Sequence, residues 1–496
     1  MPAKTLRERI SSELGFTTLA NSSKDVYILL LTRFIRMFAY GSSTLILALY
    51  FAALGHSDTK IGLFMTLTLI GDVGISLALT FVADSLGRRN ILIMGALLMT
   101  ASGVVFATFS NFWILLAAAV VGVISPSGNE IGPFRAVEES TLAHLSDAKT
   151  RSDIFAFYVI FGTMGTAGGS LVCGWATQGL QNLGWSDISS FRAIFWIYAV
   201  IGLVKAGMNM LLSKRCEAES ELLPARPTVE DDNSDEEQPF ITRPRANPEP
   251  PAKPQKKASA ISQISPASRR TLTKLCGLFF FDSLASGMIT SALIAFFMKR
   301  KFGMPEGQLG TIMSIAQFCS SFGNIFASAL GKRIGLVKTM VFTHLPSAIF
   351  LMLIPLPSSL ILSVIFLVLR SSLSSMDQAP RSAFLSAVVL PNERTAVMGV
   401  VNTVKTMSQS SGPLITGSLA NGGHFWIAFV IGGALKVGYD LGMLSMFVGL
   451  KLEGDDGRRT RAPDQEAQDA EEDNELGQLS PTVSDDRHDR EERSAR

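Results

Sequence analysis

The chain has 496 residues, of which 47% are hydrophobic and 17% are charged. Soluble proteins carry about a quarter charged residues, so this composition excludes an ordinary soluble protein and indicates a membrane protein. The net charge of +2 gives no reason to expect a nucleic-acid partner, because the charges are concentrated at the N-terminus, in residues 214–270 and after residue 450. Four widely separated cysteines predict neither a disulfide framework nor a metal site.

Twelve apolar runs are long enough to cross a bilayer as helices, for which about 20 mostly apolar residues are needed. The N-terminal residues before the first run lack the apolar core of a signal peptide, so the N-terminus is expected to stay in the cytosol. The predicted spans are 27–53, 61–82, 90–109, 112–133, 154–177 and 191–212, then 275–298, 309–330, 339–356, 359–376, 395–420 and 424–450.

The short connections between these spans predict that both termini are cytosolic. With the N-terminus inside, the cytosolic segments carry fourteen Lys and Arg residues and the opposite side carries five. Residues 214–270 and 451–496 are rich in charge and poor in large apolar side chains, which is typical of disordered segments. We therefore predict a cytosolic segment (1–26), a first six-helix bundle (27–213), a disordered linker (214–270), a second bundle (271–450) and a disordered acidic tail (451–496).

The two bundles carry the marks of an internal repeat. Three pairs of glycines are each separated by 248 residues, and Pro133 and Pro380 by 247. The sequence GGSL at 168–171 also resembles GPLITGSL at 412–419. We interpret the halves as one duplicated six-helix unit, inserted twice in the same orientation. The paired glycines are Gly55 and Gly303, Gly62 and Gly310, and Gly87 and Gly335.

A charged motif separates the second and third spans: Asp84, Gly87, Arg88 and Arg89 in the sequence ADSLGRR. Glycine permits a tight turn, and the two arginines are expected to hold that turn at the cytosolic surface. The spacing resembles the Gly-x-x-x-Asp-x-x-Gly-Arg-Arg/Lys signature of the major facilitator superfamily, with Thr80 in place of the first glycine. Together with the twelve spans and the repeat, the motif identifies the chain as resembling a twelve-span, fungal-like member of that family.

The resemblance implies an all-α membrane protein with two pseudo-symmetric six-helix bundles that rock around a central solute site. It implies that Asp84 pairs with the start of the eleventh span, near Arg394, and so closes the cytosolic side. Glu130 and Asp377 lie at matching positions in the fourth and tenth spans, each a few residues before an arginine, and the resemblance suggests gate ion pairs there. The gate residues are therefore predicted to be Asp84, Gly87, Arg88, Arg89, Glu130, Arg135, Asp377 and Arg381.

Ionisable residues inside predicted spans are functional candidates, because a charge in the membrane interior is costly. Arg33, Arg36 and Tyr40 share one helical face, and Asp72 is expected to neutralise Arg36. Lys436 and Asp440, spaced i and i+4, predict a structural pair in the twelfth span, and Lys205 is expected to snorkel to the surface. The candidates for solute binding and proton coupling are Arg36, Tyr40, Asp72, Asp282, Arg370 and Lys405.

These observations predict a secondary active transporter rather than an enzyme, with a small-molecule solute and the lipid bilayer as its partners. Three of the candidate residues are cations, Arg36, Arg370 and Lys405, and two are acids, Asp72 and Asp282. The excess of cations favours an anionic or zwitterionic solute, and the two acids favour proton coupling. No cofactor other than a proton gradient is expected, and the chain is expected to be monomeric, in the plasma membrane or an internal membrane such as the vacuole. The alternatives are proton-coupled drug or toxin efflux, a membrane sensor without transport, and a membrane-embedded enzyme.

Overall fold

The computed structural model describes residues 16–122, 124, 133–147, 150–217, 266–389 and 393–448. Every regular element in these ranges is helical. The first half comprises α1 (Phe16–Ala20), α2 (Lys24–Ala53), α3 (Asp58–Leu86), α4 (Arg88–Thr108), α5 (Phe112–Gly122), α6 (Pro133–Leu145), α7 (Arg151–Asn182), α8 (Asp187–Met210) and a short 3-10 turn (Lys214–Cys216).

The second half begins at Pro266, inside the last residues of the predicted linker. It comprises α9 (Pro266–Met288), α10 (Ser291–Phe302), α11 (Glu306–Ile334), α12 (Leu336–Leu353), α13 (Leu360–Ser374), α14 (Gln378–Val388), α15 (Arg394–Asn421) and α16 (Phe425–Phe447). Seven described helices are individually long and apolar enough to cross a membrane, and the bent pair α9 and α10 adds an eighth. The helices α11 and α15 have 29 and 28 residues, which suffices in length, but both are more polar.

Two predicted spans differ from the structure. For the fourth, predicted at 112–133, the described residues form one helix from Phe112 to Gly122 and another that begins at Pro133, with Ile124 between them outside any helix. The seventh, predicted as one helix, is bent by 44° between α9 and α10. At this bend Thr290 has an extended backbone, and its hydroxyl accepts a hydrogen bond from Leu293 N at 3.4 Å. The side chain thus caps α10 and allows a new helix to start without a proline or glycine at the break.

The repeated glycines occupy equivalent structural positions in the two halves. Gly87 joins α3 to α4 at a φ of 77°, and Gly335 joins α11 to α12 at a φ of 88°. Side chains rarely adopt these angles, so both turns depend on glycine. The repeat predicted from the 248-residue spacing is therefore reproduced in backbone conformation.

The hydrophobic clusters are arranged differently at the two ends of the bundle. We call the end where α2 begins the near face and the end where α2 ends the far face. One cluster, which includes Phe51 and Phe64 of the first half and Leu293 and Phe297 of the second, joins the halves toward the far face. Toward the near face each half has its own cluster, one around Leu29 and one around Phe279. The halves are therefore packed together at the far face.

Small residues make this far-face contact close. A Cβ on Gly62 (α3) would lie 2.3 Å from Pro413 O in α15, and one on Gly310 (α11) would lie 2.5 Å from Ser170 O in α7. These distances are shorter than van der Waals contact, so neither position can hold a larger residue without moving the helices apart. Gly62 and Gly310 are one of the repeated pairs, and the far-face closure thus has the symmetry of the duplication.

Candidate functional site

A small pocket lies between the two halves where the far-face contact ends. The first half contributes Tyr40, Gly41, Thr44, Thr166 and Ser170 from α2 and α7. The second half contributes Ser291, Met313 and Gln317 from α10 and α11. Most of these residues offer a hydroxyl or amide group, which can donate and accept hydrogen bonds without carrying a charge. The pocket thus brings hydrogen-bonding groups from both halves into one small space.

In the first half, a buried glutamate joins three helices. The Glu138 side chain, on α6, accepts from Arg36 Nη2 of α2 at 2.6 Å and from Lys205 Nζ of α8 at 3.3 Å. The Tyr158 hydroxyl of α7 donates to the same carboxylate at 2.8 Å, and the Arg33 guanidinium lies over the Tyr158 ring. Glu138 is fully buried. We call Arg36, Glu138 and Lys205 the first triad.

In the second half, a buried aspartate joins three helices in the same way. Asp282, on α9, accepts from Arg381 Nη1 of α14 at 2.8 Å and from Lys436 Nζ of α16 at 2.7 Å. Arg381 also pairs with Asp377, four residues earlier. We call Asp282, Arg381 and Lys436 the second triad.

The two triads occupy related positions in the two halves, but the charges on the first helix and on its partner are reversed. Arg36 and Asp282 each precede by five residues a glycine, Gly41 or Gly287, at which a neighbouring backbone approaches closely. Lys205 and Lys436 lie in the similar stretches VKAGMN and LKVGYD. The first helix of each half thus supplies an arginine in one case and an aspartate in the other, and the helix after the fourth span supplies the complementary charge.

A histidine extends the second triad. His344, on α12, has its Nδ1 atom 2.9 Å and 3.0 Å from the two carboxylate oxygens of Asp440 on α16. Its Nε2 atom lies 3.8 Å from Asp282 Oδ1. Both side chains are buried, with Asp440 completely excluded from solvent. The imidazole therefore lies between two carboxylates from two different helices.

The structure changes several predicted pairings. Arg36 pairs with Glu138 rather than with Asp72, which is buried in α3. The predicted Lys436 to Asp440 pair is wrong, because Lys436 binds Asp282 and Asp440 binds His344. Lys205 does not snorkel to the surface, since it is buried against Glu138.

The other candidate cations differ in their surroundings. Lys405 lies over the Phe279 ring, with its Nζ atom 5.4 Å from the ring centroid. Arg370 shares a helical face of α13 with the fully buried Ser363, seven residues earlier. In the described part of the chain Arg370 makes no ion pair within 4 Å.

The motif turn is held by a residue that the sequence analysis did not select. Glu217, just after the 3-10 turn, accepts from Arg88 N at 2.7 Å and from Arg89 N at 3.2 Å. A carboxylate at this position satisfies the free N–H groups and complements the positive end of α4. The predicted gate residue Arg135 pairs with its own helix neighbour Glu139 at 2.7 Å. Glu130 and the side chains of Asp84 and Arg394 lie outside the described residues.

Glu138, Lys205, His344 and Asp440 complete the buried networks, but sequence reasoning did not choose them as site residues. Glu138 follows the predicted end of the fourth span, so it was not counted as a membrane residue. Lys205 and Asp440 could have been found from the aligned stretches VKAGMN and LKVGYD, in which an i, i+4 polar pair recurs.

Comparisons with known proteins agree with this architecture. The sequence profile of the Major Facilitator Superfamily matches residues 29–269 and 275–478. A Saccharomyces cerevisiae protein described as "Uncharacterized membrane protein YJR124C" is 35% identical over 435 residues, which cover 86% of this chain and 95% of that protein.

Among solved structures, the nucleoside transporter NupG is similar with a TM-score of 0.62 at 16% identity, covering 86% of this chain and all of that chain. An inward-open structure of the xylose transporter XylE from E. coli has a TM-score of 0.61 at 13% identity, covering 87% and 98%. At such low identity these likenesses concern the fold, which is the twelve-helix, two-bundle arrangement. The match of the family profile to both halves and the extended similarity to the yeast protein show that this chain is a transporter, not an enzyme, and belongs to the Major Facilitator Superfamily.

Proposed function

We propose that the chain is a proton-coupled secondary active transporter that moves a small polar solute by alternating access. The observation that carries the proposal is the polar pocket between the halves, which lies beneath a closed far face. A solute that bridges α2 and α7 to α10 and α11 would contact both halves, so its binding free energy would depend on their relative position. We propose further that the chain acts as a monomer, in the plasma membrane or an internal membrane such as the vacuole, with residues 214–270 and 451–496 as cytosolic segments.

The near face is proposed to be cytosolic, which makes the described conformation open toward the cytosol. The excess of Lys and Arg in the near-face connections supports this orientation. The shared hydrophobic cluster at the far face and the separate clusters at the near face support an inward-open state. Solute would leave toward the cytosol from this state, and the far face would open after the small-residue contacts separate.

The solute is proposed to be hydrogen-bonding, with an anionic or zwitterionic one favoured. The pocket groups Thr44, Ser291 and Gln317 suit hydroxyl or amide functions on the solute. Arg370 makes no ion pair among the described residues, so it is the candidate for recognition of a negatively charged group. The names of two similar structures, a nucleoside transporter and a xylose transporter, fit a polar solute.

The test is transport by the purified protein in liposomes with an imposed pH gradient. Labelled uridine, xylose, succinate and alanyl-alanine serve as probes, each tried with the outside acidic and with both sides at equal pH. We expect acid outside to accelerate accumulation of at least one probe, Arg370→Gln to reduce uptake of charged probes, and Gln317→Ala to reduce uptake of the transported one.

Gln181→Ala is the matched control, because this glutamine lies at the far end of α7 and bonds to Asp187 outside the pocket. If every probe entered protein-containing and empty vesicles at the same rate under both conditions, the transport proposal would be contradicted. If uptake proceeded but ignored the pH gradient, proton coupling alone would be rejected.

A further inference from the structure

We infer that the buried pair of His344 and Asp440 is the site that binds the coupling proton; this inference rests on the proposed proton-coupled function. The two side chains come from different helices, α12 and α16, and neither is exposed to solvent. A neutral imidazole carries one N–H group and an imidazolium carries two. His344 presents both ring nitrogens to carboxylates, which is the environment in which the second N–H gains a partner.

The distances specify where the proton binds. Nδ1 is within hydrogen-bond distance of both Asp440 oxygens, so the single N–H of the neutral ring is placed there. Nε2 is 3.8 Å from Asp282 Oδ1, beyond a hydrogen bond, and so is the nitrogen with the available lone pair. The step is association of one proton, delivered by water, with this lone pair, and no other covalent bond forms or breaks.

Among the charged groups around it, His344 is the one that can change its protonation while breaking the fewest ion pairs. Asp282 already contacts a lysine and an arginine, and Asp377 contacts an arginine, so both carboxylates are engaged by cations. Among the described residues, His344 is the hydrogen-bond and ion-pair partner of Asp440. The region around His344 holds three acids, Asp282, Asp377 and Asp440, and four cations, Arg370, Arg381, Lys405 and Lys436. The titratable or charged groups on the packed elements are Asp282 (α9), Arg370 (α13), Asp377 and Arg381 (α14), Lys405 (α15), and Lys436, Tyr439 and Asp440 (α16).

The first half provides an internal comparison for the role of Asp440. Its counterpart in the repeated stretch is Asn209, whose side chain donates to Leu92 O of α4 at 2.9 Å. A neutral amide therefore fulfils the helix-linking role in that half. The second half places an acid at this position and a histidine opposite to it, so the charge of Asp440 serves more than packing.

Protonation at Nε2 would be transmitted through Asp282. Lys436 Nζ holds Asp282 Oδ1 at 2.7 Å, and the new N–H would be directed at the same oxygen. Competition for this oxygen would loosen the link from α9 to α16, while Arg381 of α14 keeps its bond to Asp282 Oδ2. Asp282 lies eight residues before the bend at Thr290, roughly 12 Å along the helix, and α10 beyond the bend packs against α2 at the far face. The proton would thus act on the helix that closes the far face.

The experiment measures proton binding and conformation without any solute. For proton binding, a variant whose other four histidines are glutamine is labelled with ¹⁵N-histidine and titrated by NMR in nanodiscs. For conformation, spin labels at Ser152 and Lys274, exposed in α7 and α9, report the near-face separation in a variant whose four cysteines are serine. We expect the imidazole signals to change from those of the neutral form to those of the charged form as the pH is lowered, and the distance distribution to differ between pH 5.5 and 8.

His344→Gln and Asp440→Asn are expected to abolish the pH response of the distance, while His424→Gln, an exposed histidine, preserves it. A His344 signal that stays unchanged from pH 5 to 9 would overturn the inference, even where the variants fail to fold. A full pH response in His344→Gln would also overturn it. Neither readout depends on solute movement, so failure of the transport proposal would instead be seen as equal probe fluxes in the liposome assay.

Discussion

Glu138 provides the sharpest test of the buried networks. The substitution Glu138→Gln keeps the size of the side chain but removes its charge, and it leaves Arg36 and Lys205 without their common partner. Removing one partner of a buried ion pair costs about 3–5 kcal/mol, because the remaining charge stays buried. Glu138 is fully buried and contacts two cations and a tyrosine, so the upper part of this range is expected.

The adjacent residue supplies a matched control. Glu139 pairs with Arg135 on the same helix, but the two side chains are 32% and 41% exposed. Exposed pairs of this kind contribute about 0–1 kcal/mol, so Glu139→Gln should be nearly silent. The measurement is unfolding by SDS in mixed micelles, followed by circular dichroism. Adding Lys205→Met to Glu138→Gln should recover part of the loss, since it removes a buried charge that has lost its partner.

Equal midpoints for Glu138→Gln and Glu139→Gln would refute the reasoning. Such a result would mean that water reaches the first triad and screens its charges. A double variant less stable than Glu138→Gln alone would also contradict it, because Lys205 would then stabilise the fold independently of Glu138.

Three other predictions concern the far face, the motif turn and a thiol. In Gly174→Ala the new Cβ would lie 2.4 Å from Glu306 O, so this substitution should weaken far-face closure and raise alkylation of a cysteine introduced at Thr311. Gly179→Ala on the same helix, with open space around it, should have no effect. Glu217→Ala removes the cap of α4 and should cost about 0.5–2 kcal/mol locally, seen as faster amide exchange of residues 88–91; unchanged exchange would argue against the cap. Burial, together with the nearby Asp25 and Glu217, raises the pKa of the Cys216 thiol to about 12, so the neutral thiol dominates at pH 7–9. Maleimide labelling in this pH range should therefore be slow in the folded chain and fast after unfolding. Rapid labelling of the folded chain at pH 7 would disprove this.

The sequence predicted the architecture because apolar length and glycine spacing are local signals. The spans around Met37 and Phe195 are long apolar runs, and the glycine turns at Gly87 and Gly335 follow from conformational limits on other residues. The bend at Thr290 was not predicted, because its sequence contains no proline and the cap depends on a single hydroxyl.

The candidate site was predicted less completely, because ion pairing is a choice among partners distant in sequence. Arg36 had several acids within reach of a bundle, and selecting Glu138, 102 residues away, requires the positions of three helices. Glu138 was also missed because the apolar run of the fourth predicted span ends at residue 133, before it. The sequence around His344 did not mark it as a site residue, because it is a single histidine that follows threonine in an apolar helix.

The apolar character of the far-face closure determines how it responds to physical conditions. Attraction between nonpolar groups weakens on cooling and is little affected by moderate salt, whereas the exposed link from Arg300 to Asp58 at the same face is screened by added ions. Lower temperature should therefore favour separation of the halves at this end, while ionic strength should change the balance only slightly. The far-face closure is in this sense governed by the hydration of apolar surface rather than by the charges that join helices within each half.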